Sequence, residues 1–332
     1  MIGIIVSGQP RSGKSTLVNS IKNNSEILSC NVDAKILRLI KSQKFSKKIS
    51  LDKKIKYLIG NKVFQDSDKK VTKSILEELN ISIPKINAHF SEDYNEFRPE
   101  FFLLDILDKV GTIFKKKKWI LPDLGAEDYF PYIYKKHTNL KLILLYRNPL
   151  ESIVASLYWR TFPRKRKNLI ELIVRWNHSI LRSSIICKEY PNNTELYFYD
   201  KIFFNQSLKK SKVLKIKNFK FKYNPNTTFF SYNNNLWYCP NKKYQKLIED
   251  DQIALITKGC LYEFKNSFKK EITTMIFIKL FYIKILNKIF WILSFRFPLA
   301  TKKLMNFYFS PIRSSINILR NLIRLIKNNK SL

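Results

Sequence analysis

Residues 4–21 read IIVSGQPRSGKSTLVNSI, and within them Gly8, Gly13, Lys14 and Ser15 fall at the spacing G-x-x-x-x-G-K-[ST]. The apolar run IGIIV precedes the glycines, and a helix is expected to follow them. Strand, turn and helix in that order are the context a phosphate-binding loop requires. Successive backbone N–H groups of such a turn point into one concavity, and the helix end adds positive potential. Each anionic charge neutralised there contributes about 0.3–1 kcal/mol, and up to about 2 kcal/mol when partly buried. Arg11 and Lys14 add full charges. The competing reading is a tight turn of structural use only. Two of the seven glycines in the chain stand in this loop, which favours anion binding.

Outward from the loop, short apolar runs alternate with helical periodicity. Residues 2–7 predict a strand and 14–22 a helix. In FRPEFFLLDILDKVGTIFKKKK, Phe101, Leu104, Leu107 and Ile113 recur at helical spacing behind Pro99, so FFLLD reads as a helix turn. KWILPD (118–123) and LKLILLY (140–146) suit buried parallel strands. NPLESIVASLYWR predicts a helix with Asn148 as N-cap and Pro149 at its first position. A long helix follows at 169–190, a strand at 194–200 and a closing helix at 250–264. The alternation predicts an α/β fold: a P-loop-type parallel β-sheet flanked by helices, with a C-terminal basic helical tail. The expected domains are 1–265 and a tail at 266–332, with helical insertions at 35–115. The lysine-rich part of that insertion, 35–95, has no legible layout.

The chain has 332 residues, 45% of them hydrophobic and 14% aromatic, enough for one large domain or two small ones. A net charge of +35 suggests anionic partners, although abundant Lys, Asn, Ile, Phe and Tyr also follow from an AT-rich genome. Cys30, Cys187, Cys239 and Cys260 are widely separated, as are His89, His137 and His178. That pattern predicts buried thiols in a reducing compartment, and neither a disulfide framework nor a metal cluster. A strand starting at residue 2 leaves no room for a signal peptide or N-terminal anchor, so a cytoplasmic location is expected.

A second cation bears on the choice of anion. The strand 141–146 ends in Arg147, and Ser152 and Ser156 share one face of the next helix. Arg makes bidentate contacts to phosphate, and serine hydroxyls donate beside it. The structural alternative pairs Arg147 with a carboxylate and lets the serines fill a helix face. A nucleoside triphosphate would instead need Mg²⁺ held by an acid at a neighbouring strand end, and Asp123 is placed for that.

PRSGKST followed by LKLILLYRNPLESIVASLYWR resembles the two signatures of sulfotransferases that use 3′-phosphoadenosine 5′-phosphosulfate (PAPS). LIVRWNHSI is similar to the family's Trp-bearing helix, ELYFYDKIF to a strand end, and IALITKGCLYEF to its last core helix. The likeness spans 1–265 and thins between 30 and 115. It implies that Pro10, Arg11, Ser12, Gly13, Lys14, Ser15 and Thr16 hold the 5′-phosphosulfate, and that Arg147 and Ser156 hold the 3′-phosphate. Lys14 stands where the family usually has Thr or Ser, and its helix serine normally falls at Ala155. The implied reaction moves a sulfuryl group to a hydroxyl or amine of a glycan, lipid or small-molecule acceptor, without a metal. Lys14 and Arg11 would stabilise the leaving phosphate oxygen. The family's base is a His or carboxylate, for which Glu127, Asp123 and His89 are candidates. The segment 35–115 would shape the acceptor pocket.

From Ile272 to Leu332 there is no Asp or Glu, but eleven Lys and Arg. The apolar run ITTMIFIKLFYIKILNKIFWILSF contains Lys279, Lys284 and Lys288. Each would cost about 2.5–3.5 kcal/mol at the bilayer centre, which argues against a spanning helix. SSINILRNLIRLIKNNK sets Asn317, Arg320, Asn321, Arg324 and Lys327 on one face, opposite Leu319, Leu322, Ile323 and Ile326. Such a helix fits peripheral contact with an anionic membrane through 272–332, or packing on the core or a partner chain. Two further classes remain beside sulfuryl transfer: an ATP/Mg-dependent P-loop NTPase or small-molecule kinase, and a basic non-enzymatic nucleic-acid or membrane binder. No nucleic-acid reading motif is present, so no specific nucleic acid is expected.

Overall fold

The computed structural model describes residues 1–31, 34–40, 98–158, 168–199, 211–214, 231–233, 236–239, 242–262, 273–297, 300–301, 304–305 and 307–309. The chain divides into two compact units. One comprises Met1–Arg147 with Ser183–Asn224, the other Asn148–Arg182 with Pro225–Leu332.

The first unit is built on β1 (Ile2–Gly8), β2 (Ile27–Ser29), β3 (Lys118–Pro122), β4 (Leu140–Tyr146) and β5 (Thr194–Phe198). They form one sheet in the order β2-β3-β1-β4-β5, and every pairing is parallel. Ile4, Ile5 and Val6 of β1 and Leu142 to Leu145 of β4 are fully buried. Strands covered on both faces read as continuous apolar runs, which is why these two were legible. The helices of this unit are α1 (Lys14–Ser20), α2 (Ile36–Ile40), α3 (Pro99–Ile113) and α4 (Ala126–Tyr134). Leu17 and Val18 of α1 join Ile4, Val6, Ile120, Ile143 and Leu145 in one core cluster.

The second unit begins with α5 (Pro149–Tyr158) and shares α6 (Leu169–Glu189), which is divided between the units at Arg182. Asn148 caps α5 as expected, accepting from Leu150 N at 2.9 Å. β6 (Ser231–Asn233), β7 (Leu236–Cys239) and β8 (Lys242–Gln245) form a small antiparallel sheet. Then come α7 (Asp250–Gly259) and α8 (Thr274–Arg296). α7 opens on a capping box between Glu249 and Gln252. It stops at Gly259, short of the 264 expected, because Cys260 is extended at φ −87 and ψ 142. Asn177 of α6 holds that end: its Nδ2 donates to Gly259 O and its Oδ1 accepts from Leu261 N, each at 2.8 Å. A Cβ at Gly259 would come within 3.3 Å of Ile173 and 3.4 Å of Ile283, so the glycine lets α6 and α8 pack closely on α7.

Cys30, Cys187 and Cys260 form no disulfide, and burial pushes the thiols of Cys187 and Cys260 up. Among the described residues no helix is long and apolar enough to cross a membrane. His89 and the basic amphipathic segment 314–330 lie outside the described residues.

Candidate functional site

β1 delivers the chain to the loop through Gly8, which pairs with Leu145 of β4. Gly8 has φ +117, and a Cβ there would lie 2.1 Å from the carbonyl oxygen of Leu145. Only glycine passes this point. The turn then reverses through two left-handed residues, Arg11 at φ 68 and Gly13 at φ 90. Left-handed backbone costs a non-glycine residue about 1–2 kcal/mol, so the surrounding loop holds Arg11 against a local preference. Gly13 caps α1 with no side chain to offer, which leaves the first-turn N–H groups without that partner.

Three side chains complete the loop. Ser12 is fully buried, and its hydroxyl has no hydrogen-bond partner among the described residues. Lys14 Nζ folds back across the turn, donating to Gln9 O at 2.5 Å and reaching Gly8 O at 3.4 Å. Its ammonium therefore stands over the loop's own carbonyls. Pro10 and Ser15 are exposed at the rim, and Thr16 is half-buried.

The carboxylates sit behind this turn. Ser7, the residue before Gly8, donates to Glu127 Oε2 at 3.0 Å and accepts from Ala126 N at 2.9 Å. Glu127 is buried, so the start of α4 is fastened to the last turn of chain before the loop. Asp123 follows β3 and donates its N–H to Val6 O at 2.9 Å. Its Oδ2 accepts from Ile36 N at 3.2 Å and from the Tyr129 hydroxyl. Asp123 is thus committed to joining the start of α2 to α4.

Arg147 lies two residues beyond Leu145, the register partner of Gly8. It is buried, with its guanidinium carbon 5.3 Å from the centre of the Tyr199 ring. Strand register accounts for this contact: Tyr146 pairs with Phe198, so the residues that follow each strand meet. A tyrosine face holds a guanidinium in place while leaving its N–H edge for hydrogen bonding. Tyr199 was not singled out from the sequence, although its place one residue past the β5 end was the available signal. The hydroxyl of Tyr146 also pairs with Ser183 Oγ at 2.5 Å, which steadies the end of β4.

The serines after Arg147 behave differently. Ser156 Oγ donates to Ser152 O at 2.7 Å, and Ser152 Oγ reaches Pro149 O at 3.4 Å. Both hydroxyl protons are spent on their own helix, as is common for serine within helices. The structure thus brings Glu127 to the loop through Ser7 and sets Arg147 just past the end of the strand next to β1, while Ser156 belongs to α5 of the second unit.

No protein-family model matches the sequence, and a search of curated proteins finds no match. Among solved structures, the chain is similar to the sulfotransferase domain of the Synechococcus PCC 7002 olefin synthase. The two share 13% identity over 62% of this chain and 68% of that one, with a TM-score of 0.40. It is also similar to the sulfotransferase domain of the curacin biosynthetic pathway. There the identity is 13% over 63% of this chain and 72% of that one, with a TM-score of 0.34.

Proposed function

We propose that the chain is a PAPS-dependent sulfotransferase acting on a hydroxyl or amine of a glycan, lipid or small-molecule acceptor. The observation that carries this reading is the β1–β4 register. Gly8 opens the loop opposite Leu145, and Arg147 follows about 7 Å further along the same strand direction, on a strand about 4.8 Å away. One glycine turn and one buried guanidinium thus stand at neighbouring strand ends, an arrangement that suits a nucleotide with phosphates at both its 5′ and 3′ positions.

The residues present fit such a donor. The buried Ser12 hydroxyl, the first-turn N–H groups of α1 and the Arg11 and Lys14 cations would hold the 5′ group. Arg147, braced on Tyr199, would hold the 3′-phosphate. The bound donor would supply an SO₃ group whose bond to a 5′-phosphate oxygen breaks, leaving its electron pair there, as a bond to the acceptor forms. Lys14 would exchange the Gln9 and Gly8 carbonyls for that developing charge, in a setting already oriented for it. Glu127, held by Ser7 just before the loop, is the assigned proton acceptor.

One observation favours the alternative, ATP with magnesium. Asp123 follows a strand adjacent to β1, where a metal-holding acid would stand. Its bonds to Ile36 N and Tyr129 weigh against that role. A thermal-shift comparison separates the two readings. Adenosine 3′,5′-bisphosphate without magnesium should raise Tm more than ADP does, and more than ATP with magnesium. Arg147→Ala should reduce the preference for a 3′-phosphate by about 10- to 100-fold, the usual weight of a charge-assisted hydrogen bond. Greater stabilisation by ATP with magnesium would assign the loop to phosphoryl transfer.

A further inference from the structure

α8 is apolar on two opposite sides. Ile276, Ile283, Leu286 and Phe290 are buried in the second unit. On the other side, Ile278, Phe281, Ile285, Ile289 and Ile292 are each between 41% and 60% exposed, and Phe295 reaches 71%. Steps of three and four residues put these six on one helix face. At 1.5 Å per residue the row is about 26 Å long. Single exposed apolar side chains are ordinary, but a continuous row marks a surface that something else covers.

The charges identify the occupant. Lys284 and Lys288 lie along one edge of the row, and both are exposed. Their aliphatic stems can lie along the apolar row while the ammonium groups rise to its margin. No acidic residue occurs anywhere in 272–332. A second copy packed with α8 against α8 would therefore bring lysine against lysine with no carboxylate to offset it. No described helix is apolar enough to span a bilayer. We infer that α8 lies flat on an anionic lipid surface, its outward row sunk in the acyl boundary and its lysines among the headgroups. This surface is independent of the donor-site reading, and it belongs to α8 itself rather than to the segment 314–330.

The test is vesicle flotation with the full-length chain, using phosphatidylcholine alone and phosphatidylcholine with phosphatidylserine. The parent should bind the anionic vesicles at least tenfold more tightly, and high salt should weaken that binding. Replacing Lys284 and Lys288 with Gln should cost about 30-fold on anionic vesicles. Phe281→Ser combined with Ile285→Ser and Ile289→Ser should abolish flotation while a cooperative unfolding transition is kept, since these side chains are 41% to 60% exposed. Undiminished flotation of the serine variant would overturn the inference, because another segment would then be responsible. So would a dimer in sedimentation velocity that the serine variant dissolves, if the parent binds neither vesicle type. Binding of the parent only to an acidic protein, and to no vesicle, would overturn it as well.

Discussion

Around the β1–α1 loop the molecule buries Ser7, Ser12, Asp123, Glu127 and Arg147, whereas α8 exposes Phe281, Ile285, Ile289 and Ile292. Each arrangement runs against the usual partition of side chains between core and solvent. Burying polar groups demands a partner for each, and the first unit supplies most of them through its own elements: Ser7 for Glu127, Tyr129 for Asp123, Tyr199 for Arg147. Exposing apolar groups demands nothing of the fold and only a covering from outside. Local rules tend to be broken where function resides. Under the two proposals made above, the inversion has two meanings, a ligand held within the first unit and a surface contact made by the second.

The largest test of that contrast is Gly8→Ala. Its Cβ would meet the Leu145 carbonyl oxygen at 2.1 Å, and left-handed strain adds about 1–3 kcal/mol. The expected loss exceeds about 4 kcal/mol, in the range reserved for gross misfits. Ile285→Ser on α8 should cost about 1 kcal/mol or less, since its side chain is 41% exposed and only part of it leaves a covered position. Urea unfolding of the two variants measures both. Comparable losses would mean that α8's outward face is covered within the chain, and the comparison would fail.

Arg11→Gly sharpens the same point at a smaller scale. The substitution releases about 1–2 kcal/mol of left-handed strain and gives back about 0.5–1 kcal/mol in unfolded-chain freedom. Stability should rise by roughly 0.5–1 kcal/mol. Affinity for adenosine 3′,5′-bisphosphate should fall, because a cation has left the loop. Calorimetric titration beside urea unfolding reads both. A fall in stability would show that the Arg11 side chain, not the anion site, repays the strain.

How far the sequence exposed this comparison depends on what each element buries. β1 and β4 are covered on both faces, so IGIIV and LKLILLY were unmistakable as strands, and the Asn148-Pro149 start of α5 followed from capping chemistry alone. β2, of three residues, and α2, of five, are shorter than any period can reveal. α4 carries Pro131 in its interior, which breaks the helical signature its apolar spacing would otherwise give. At the site, the glycine spacing announced a turn between β1 and α1, while Tyr199 was marked only by its place one residue past the β5 end. Its meeting with Arg147 depends on β4 and β5 being neighbours in register, a long-range fact. In the tail, the lysines of 272–295 interrupt the apolar run, and among the described residues no helix is long and apolar enough to cross a membrane. The doubled apolar face of α8 was hidden because apolar residues all round a helix leave no polar side to mark the surface.

The smallest effect separates the two units by their tyrosines. Tyr197, on β5, is pushed up to about 12, mainly by burial and then by the Glu195 carboxylate its hydroxyl meets at 2.9 Å. Tyr282, on exposed α8, is also pushed up to about 12, but mainly because its hydroxyl pairs with that of Tyr308. In both cases the folded chain keeps a proton that the unfolded chain loses near pH 10. The stabilisation is complete below pH 10 and disappears as pH rises towards 12, because the folded state then binds more protons than the unfolded one. Absorbance titration of the phenolates should therefore show two late tyrosines of different origin. Tyr308→Phe should return Tyr282 towards the ordinary range and leave Tyr197 late, since only the first owes its shift to a removable partner. Should both revert together, burial on β5 would not be what raises Tyr197, and the contrast between a buried polar unit and an exposed apolar helix would lose its electrostatic support.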